Sequence, residues 1–132
     1  MLWWIVGGLV LSAATGLRAD DNQTSLALDV QPILDSYCVQ CHMLEAPQAD
    51  LVLEEGEAYP NLVGVKSTQS PQLRVYAGSP EKSYLIDKLR GTQVRGGGFG
   101  SGMPLSEGGY RPLAQQDIQT IISWIKGGAR DN

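Results

Sequence analysis

The sequence has one histidine, one phenylalanine and two cysteines in 132 residues, and each scarcity removes a class of chemistry. Two cysteines and one histidine fall short of the four ligands a structural zinc site requires. The lone histidine also excludes any metal held by two histidines. One phenylalanine against sixteen glycines and seven prolines argues for irregular, loop-rich architecture. Positive charge is scarce too: ten Lys and Arg against fourteen Asp and Glu give a formal charge of -4 and a pI of about 4.8. Without a basic footprint, DNA and RNA are set aside as partners. Hydrophobic residues at 42% and charged residues at 18% exclude a wholly disordered chain, and the length fits one domain.

Residues Leu2 to Leu17 are almost wholly apolar or small. The run is marginal for a membrane-spanning helix of about 20 residues, and Leu17-Arg18-Ala19 ahead of Asp20 offers a small residue at a cleavage point. Residues 1–19 therefore read as an export signal cleaved after Ala19. The alternative is an uncleaved anchor ending at Arg18, since no Lys or Arg precedes the apolar run. Residues 20–27 read as a flexible lead-in and residues 28–132 as the folded domain.

Within that domain, Pro32 at the start of Gln31-Pro32-Ile33-Leu34-Asp35-Ser36-Tyr37 suits a first helical turn, and the predicted helix runs into Cys38. From Glu45 to Gly78, Pro47, Gly56, Pro60, Gly64 and Pro71 break every regular pattern. This predicts a long loop, with Leu51–Leu53 and Leu73–Tyr76 pairing as a small ribbon. Ser79-Pro80-Glu81 opens a second helix that carries Leu85, Ile86 and Leu89 and closes at Gly91. Eight glycines between Gly91 and Gly109 forbid helix or regular sheet there. Ile118, Ile121, Ile122 and Ile125 fall at i, i+3, i+4 and i+7 and mark the clearest helix, Gln115 to Lys126, flanked by Trp124 and ended by Gly127-Gly128. Its stripe is expected to pack on the helix at Pro32–Tyr37. Three short helices joined by long connections bury little on their own, so a group other than protein is expected to fill the middle.

Cys38-Val39-Gln40-Cys41-His42 has the form C-x-x-C-H, the attachment signature of a c-type haem. Two thiols at this spacing can each add to one vinyl group on the same porphyrin edge, and the next residue then offers its imidazole to the iron. A thioredoxin-like pair would need alternating strands and helices around it, a pattern missing here. For the sixth position methionine is the common partner of histidine. Met1 lies in the apolar segment and Met43 directly follows His42, which leaves Met43 as a packing or surface residue. Met103, in Gly100-Ser101-Gly102-Met103-Pro104, has enough chain before it to return on the far face of the ring.

These residues resemble a class I cytochrome c: C-x-x-C-H after a first helix, a loop methionine followed by proline, and a carboxyl-terminal amphipathic helix. The chain is similar, over roughly Leu28 to Ala129, to the single-haem cytochrome modules common in planctomycetes and some proteobacteria. Further matching stretches are Val30–Leu34, Gly78–Leu85, Met103–Leu105, Asp117-Ile118, Trp124-Ile125 and Gly128-Ala129. The resemblance implies a mainly α, class I cytochrome c-like fold around one covalent haem, with long irregular loops. It implies haem c on Cys38 and Cys41, iron ligated by His42 and Met103, and one-electron transfer between redox partners outside the cytoplasm, in the periplasm for example. Ala114 departs from the pattern, where such chains usually carry a hydroxyl residue capping the last helix.

With both axial positions filled no site remains for substrate, so an electron carrier is expected rather than an enzyme. The rivals are a haem sensor or peroxidase-like protein with a displaceable methionine, and a haem subunit of a larger oxidoreductase. Glu45, Asp50, Glu54, Glu55 and Glu57 form an acidic cluster that reads either as a solvated loop face or as a docking site for a basic redox partner. Arg74, Arg90, Arg95, Arg111, Tyr59 and Tyr76 are all candidates for the haem propionates. A membrane contact is expected only if residues 1–19 are retained.

Overall fold

Ser25 opens the first helical stretch earlier than the sequence pattern predicts. Its Oγ accepts from the Leu28 N–H at 3.2 Å while its own N–H donates to Asp29 Oδ2 at 2.7 Å, a reciprocal cap on a π-helical turn over Leu26–Val30. That turn leads into α1, Gln31–Tyr37, whose proline sits in the first turn. The structure is a computed structural model that describes residues 23–132, and the expected export signal over residues 1–19 lies outside them.

The part of the expected flexible lead-in that is described, residues 23–27, is instead laced to the end of the chain. Gln23 Nε2 donates to the Gly127 carbonyl at 2.8 Å, the Ala27 N–H donates to the Asn132 carbonyl at 2.9 Å, and Leu26 is buried. Burial of Leu26 and Val30 on the last helix is the physical reason this segment is ordered.

The stretch from Glu45 to Gly78 also holds more structure than expected. A single 3-10 turn covers Gln48–Asp50, and a short helix, α2, covers Ala58–Leu62, with Pro60 in its first turn where no intrahelical N–H is needed. The expected ribbon does not form. Val52 and Leu53 are buried, and Leu53 is claimed on both sides: its N–H donates to the His42 carbonyl at 2.8 Å and its carbonyl accepts from Gln31 Nε2 at 2.9 Å. Leu73 and Val75 instead bridge to Lys66 and Val63, and Leu73 bridges also to Ser83.

The helix expected from Ser79 is broken in two. Pro80–Lys82 makes one 3-10 turn, Ser83 is extended, and α3 runs over Tyr84–Arg90. Ser83 is the cause of the break. Its buried Oγ accepts from the Tyr76 N–H and donates to the Ser79 carbonyl, each at 2.9 Å, and its backbone joins the Leu73 bridge. Gly91 closes α3 in the left-handed conformation, φ 69°.

No helix forms between Gly91 and Gly109, as expected, but Leu105–Ser106 (β1) pairs antiparallel with Gly109–Tyr110 (β2). The last helix, α4, spans Gln115–Lys126. Its four isoleucines are buried, and so is Trp124, whose Nε1 donates to the Arg130 carbonyl at 2.9 Å. The main backbone neighbours of α4 are the Leu26–Val30 turn, α3 and the Pro80–Lys82 turn, so the Pro32–Tyr37 helix is not its chief partner. Ala114 supplies no side-chain cap. Among the described residues the protein is thus partly helical, with four α-helices, one two-stranded ribbon and long connections. None of these helices is long and apolar enough to cross a membrane.

Candidate functional site

The C-x-x-C-H residues follow α1 as tight turns rather than as helix. Cys38 donates its N–H to the Leu34 carbonyl at 2.8 Å, and the Cys41 and His42 N–H groups both return to the Cys38 carbonyl, at 3.2 and 3.1 Å. The next loop folds back on the motif: the Gln48 N–H donates to the Cys41 carbonyl and the Leu53 N–H to the His42 carbonyl. This return brings two further carbonyls to the imidazole. His42 Nδ1 lies 3.1 Å from the Gln48 oxygen and 3.2 Å from the Leu51 oxygen. Carbonyls only accept, so Nδ1 must carry the proton, and in the neutral ring Nε2 keeps its lone pair for a metal. Burial, with the charges of Arg74 and Lys88 acting in the same direction, holds the His42 pKa below its usual value despite those two hydrogen bonds. The ring is therefore neutral at neutral pH.

Arg74 holds the returning loop in place. It is 8% exposed, and its guanidinium donates to the carbonyls of Asn61 at 2.9 Å and of Ala49 and Asp50 at 3.1 Å each. Ala49 and Asp50 both have positive φ, 55° and 54°, a conformation that costs free energy in residues with a side chain. The two charge-assisted hydrogen bonds to Ala49 and Asp50 offset that cost and fix the turn between the two carbonyls that face His42, while the bond to Asn61 anchors the guanidinium.

A cavity of about 570 Å³ opens beside these residues, within the roughly 300–1,000 Å³ typical of cofactor sites. Cys38, Cys41 and His42 line one side. Met103 lines it too, although the chain travels through α2, α3 and the glycine-rich segment before returning. Leu51, Leu53, Leu62, Leu85 and Leu89 supply apolar wall, and Ser67, Thr68, Gln69, Arg74 and Lys88 supply polar wall. Among the described residues, two cations and no carboxylate line this cavity. Such a lining suits a large apolar group that carries negative charge at one edge.

The expected site residues separate cleanly. Met43 is half-buried and does not line the cavity. Of the candidates for an anionic edge, Arg74 lines it. Arg90, Arg95 and Arg111 are exposed and lie elsewhere, and Tyr59 and Tyr76 are also outside the lining. Lys88 was not singled out by sequence reasoning, because nothing in the pattern marks one lysine of an amphipathic helix as buried; its place one turn after Tyr84 was the available signal.

Burial, and then the neighbouring Cys41, push the Cys38 pKa up to about 11, whereas reactive cysteines have lowered values. Among the described residues no three His, Cys, Asp or Glu side chains converge as metal ligands. The glycine-rich segment shows why glycine is needed there. A Cβ at Gly98 would collide with the Tyr84 hydroxyl, and one at Gly102 would come within 2.8 Å of the Tyr110 ring. Tyr110 in turn donates its hydroxyl to the Leu89 carbonyl at 2.6 Å. The chain matches no protein-family model, no curated protein and no solved structure, so its chemistry is read from the residues around this cavity.

Proposed function

We propose that this protein is an exported single-haem c-type cytochrome of the class I-like kind, passing one electron between redox partners. One observation carries the reading: Cys38, Cys41, His42 and Met103, chosen by motif and by ligand chemistry, line one cavity large enough for a cofactor. The haem, when bound, supplies a one-electron iron couple. The chain's own residues fit that group. Cys38 and Cys41 hold it covalently at one edge. His42 is oriented by the Gln48 and Leu51 carbonyls, with Nε2 left to ligate. Met103 would supply the sulfur ligand to the iron, and a soft, neutral thioether favours the ferrous state. Arg74 has five N–H donors and commits three of them to carbonyls, Nη1 making one of those bonds and Nη2 two. Two donors remain for a propionate carboxylate.

Protein loaded with haem should titrate as a single one-electron couple, and its ferrous form should stay closed to carbon monoxide at neutral pH. Ready binding of carbon monoxide would instead favour a sensor or peroxidase-like role. A partner that survives gentle purification would make the chain a subunit of a larger oxidoreductase.

The acidic cluster belongs to the same reading. Glu45, Asp50, Glu55 and Glu57 are exposed, and Glu54 accepts from the Leu44 N–H at 2.8 Å beneath an exposed Leu44. An exposed apolar residue beside Glu45 and Glu54 fits a transient encounter with a basic partner. Replacing Glu54, Glu55 and Glu57 together by glutamine should slow electron exchange with a basic partner by roughly tenfold at low salt and little at high salt. Equal rates at every salt concentration would return these residues to a solvating role.

A further inference from the structure

The wall of the cavity nearest Met103 contains a charge for which electron carriage gives no account. Lys88 is 9% exposed and lines the cavity, with its Nζ 5.6 Å from the centre of the Tyr84 ring. Burying an ammonium costs several kcal/mol unless hydrogen bonds replace its water, and an apolar residue would bury at this point of α3 without that cost. What the lysine gains is a grip on the segment that leads to Met103. Nζ donates to the Phe99 carbonyl at 3.1 Å and to the Ser101 carbonyl at 2.9 Å. Gln93 Nε2 takes the carbonyl between them, that of Gly100, at 2.8 Å, and the Met103 N–H returns to the Lys88 carbonyl at 2.8 Å.

No large apolar side chain just ahead of Met103 does this job. Val94 and Phe99 are 69% and 60% exposed, so they do not anchor the segment. Glycines add backbone freedom rather than removing it. The position of Met103 therefore depends on polar contacts to successive carbonyls, and Lys88 supplies two of them with charge assistance.

We propose that Lys88 is a positioning residue: by holding the Phe99 and Ser101 carbonyls it sets Met103 at the sixth position of the iron and keeps that position closed. The proposal rests on the His/Met cytochrome reading and goes beyond it by naming what controls the methionine. Coupling of this kind is reciprocal. Whatever displaces Met103 must loosen the hold of Lys88, and removing Lys88 must loosen Met103.

The test uses haem-loaded protein. Lys88→Leu, which fills similar space without adding a sulfur, should keep covalent haem and the far-ultraviolet circular dichroism of wild type. It should lose the weak red-edge sulfur-to-iron absorption of the ferric form, and its ferrous form should bind carbon monoxide roughly tenfold or more tighter than wild type, the loss expected for one charged hydrogen bond. Lys88→Arg, which keeps charge and donors, should restore most of the closed state. A Lys88→Leu protein that keeps the absorption and stays closed overturns the proposal while leaving the His/Met reading intact. A wild type already open to carbon monoxide overturns both.

A second measurement needs no variant. In ferric wild type an amine-reactive reagent should label Lys88 more slowly than the exposed Lys66, Lys82 and Lys126. Saturating cyanide, which takes the sixth position, should then raise the labelling of Lys88 alone, by roughly tenfold. Labelling of Lys88 that does not change with cyanide overturns the proposal even if Lys88→Leu fails to assemble.

Discussion

Chain produced together with haem-attachment machinery and extracted with acidified acetone is expected to keep its colour, with an intact mass above that of the polypeptide by one haem. Coordination through His42 and Met103 would not survive that treatment, because acid protonates the imidazole and the solvent dissolves the released ring. Thioether bonds would. Cys38→Ala and Cys41→Ala should each leave one thioether, and the double variant should give up all its haem to the solvent. The raised pKa of Cys38 sharpens the expectation. At neutral pH it stays a thiol, so alkylating agents should modify haem-free protein at Cys38 slowly, and that rate should climb as pH rises toward about 11. Once the sulfur is a thioether no pH should restore the reaction. A mass equal to the bare polypeptide would refute the covalent reading, and the same spectrum reports whether residues 1–19 have been removed.

The residues proposed to hold a haem stand out in the sequence because the C-x-x-C-H spacing would answer to two vinyl groups and one iron rather than to packing. Met103 stands out because the chain before it is long enough to reach the far side of such a ring, and it lines the same cavity as the motif. The last helix was legible for a different reason. Four isoleucines at helical spacing have no other use than a buried face. What escaped were places where one side chain overrides a local pattern. Ser83 breaks a helix that Ser79-Pro80-Glu81 would otherwise start, and only its contacts with Tyr76 and Ser79 reveal it. Pro60 was weighed as a breaker, although a first-turn proline costs a helix nothing. Ser25 and Asp29 form a cap with four-residue spacing, because the turn they open is a π-turn, and a search for the usual three-residue spacing passes over it.

Burial of charge was the hardest feature to read. Arg74 and Lys88 differ little in local sequence from Arg90 and Lys126, yet the first two line the cavity and the others face solvent. Their selection is made by topology. Arg74 is carried inward by the Val63 and Lys66 bridges, which set its guanidinium over the positive-φ turn. Lys88 is carried inward because α3 turns Tyr84, Ile86 and Leu89 into the core and takes the lysine with them. The long segment from Glu45 to Gly78 thereby acquires a function in the proposed site. It orients His42 from behind through Gln48 and Leu51, and it lines the polar part of the cavity with Ser67, Thr68 and Gln69.

Replacing Met103 should have the largest effect of any single change beyond the attachment cysteines. Met103→Ala removes the only sulfur donor among the described residues that lines the cavity apart from the two cysteines. The red-edge absorption should vanish, and the ferrous protein should bind carbon monoxide where wild type does not. A bond from Met103 to iron also closes the long loop of chain that begins at His42, so its loss returns loop entropy to that segment. Amide exchange between Gly98 and Met103 should accelerate by roughly tenfold, with α4 unaffected, since local opening follows local contacts. Met103→His separates these effects. An imidazole can fill the position, so carbon monoxide should stay excluded, but nitrogen favours ferric iron more than a thioether does. The potential should fall by on the order of 0.1 V, a small part of the roughly 0.8 V that axial ligands control. If Met103→Ala leaves the spectrum, the potential and the exclusion of carbon monoxide unchanged, the sixth ligand is not Met103. Half-buried Met43, outside the cavity, would then need a rearranged loop to reach the iron.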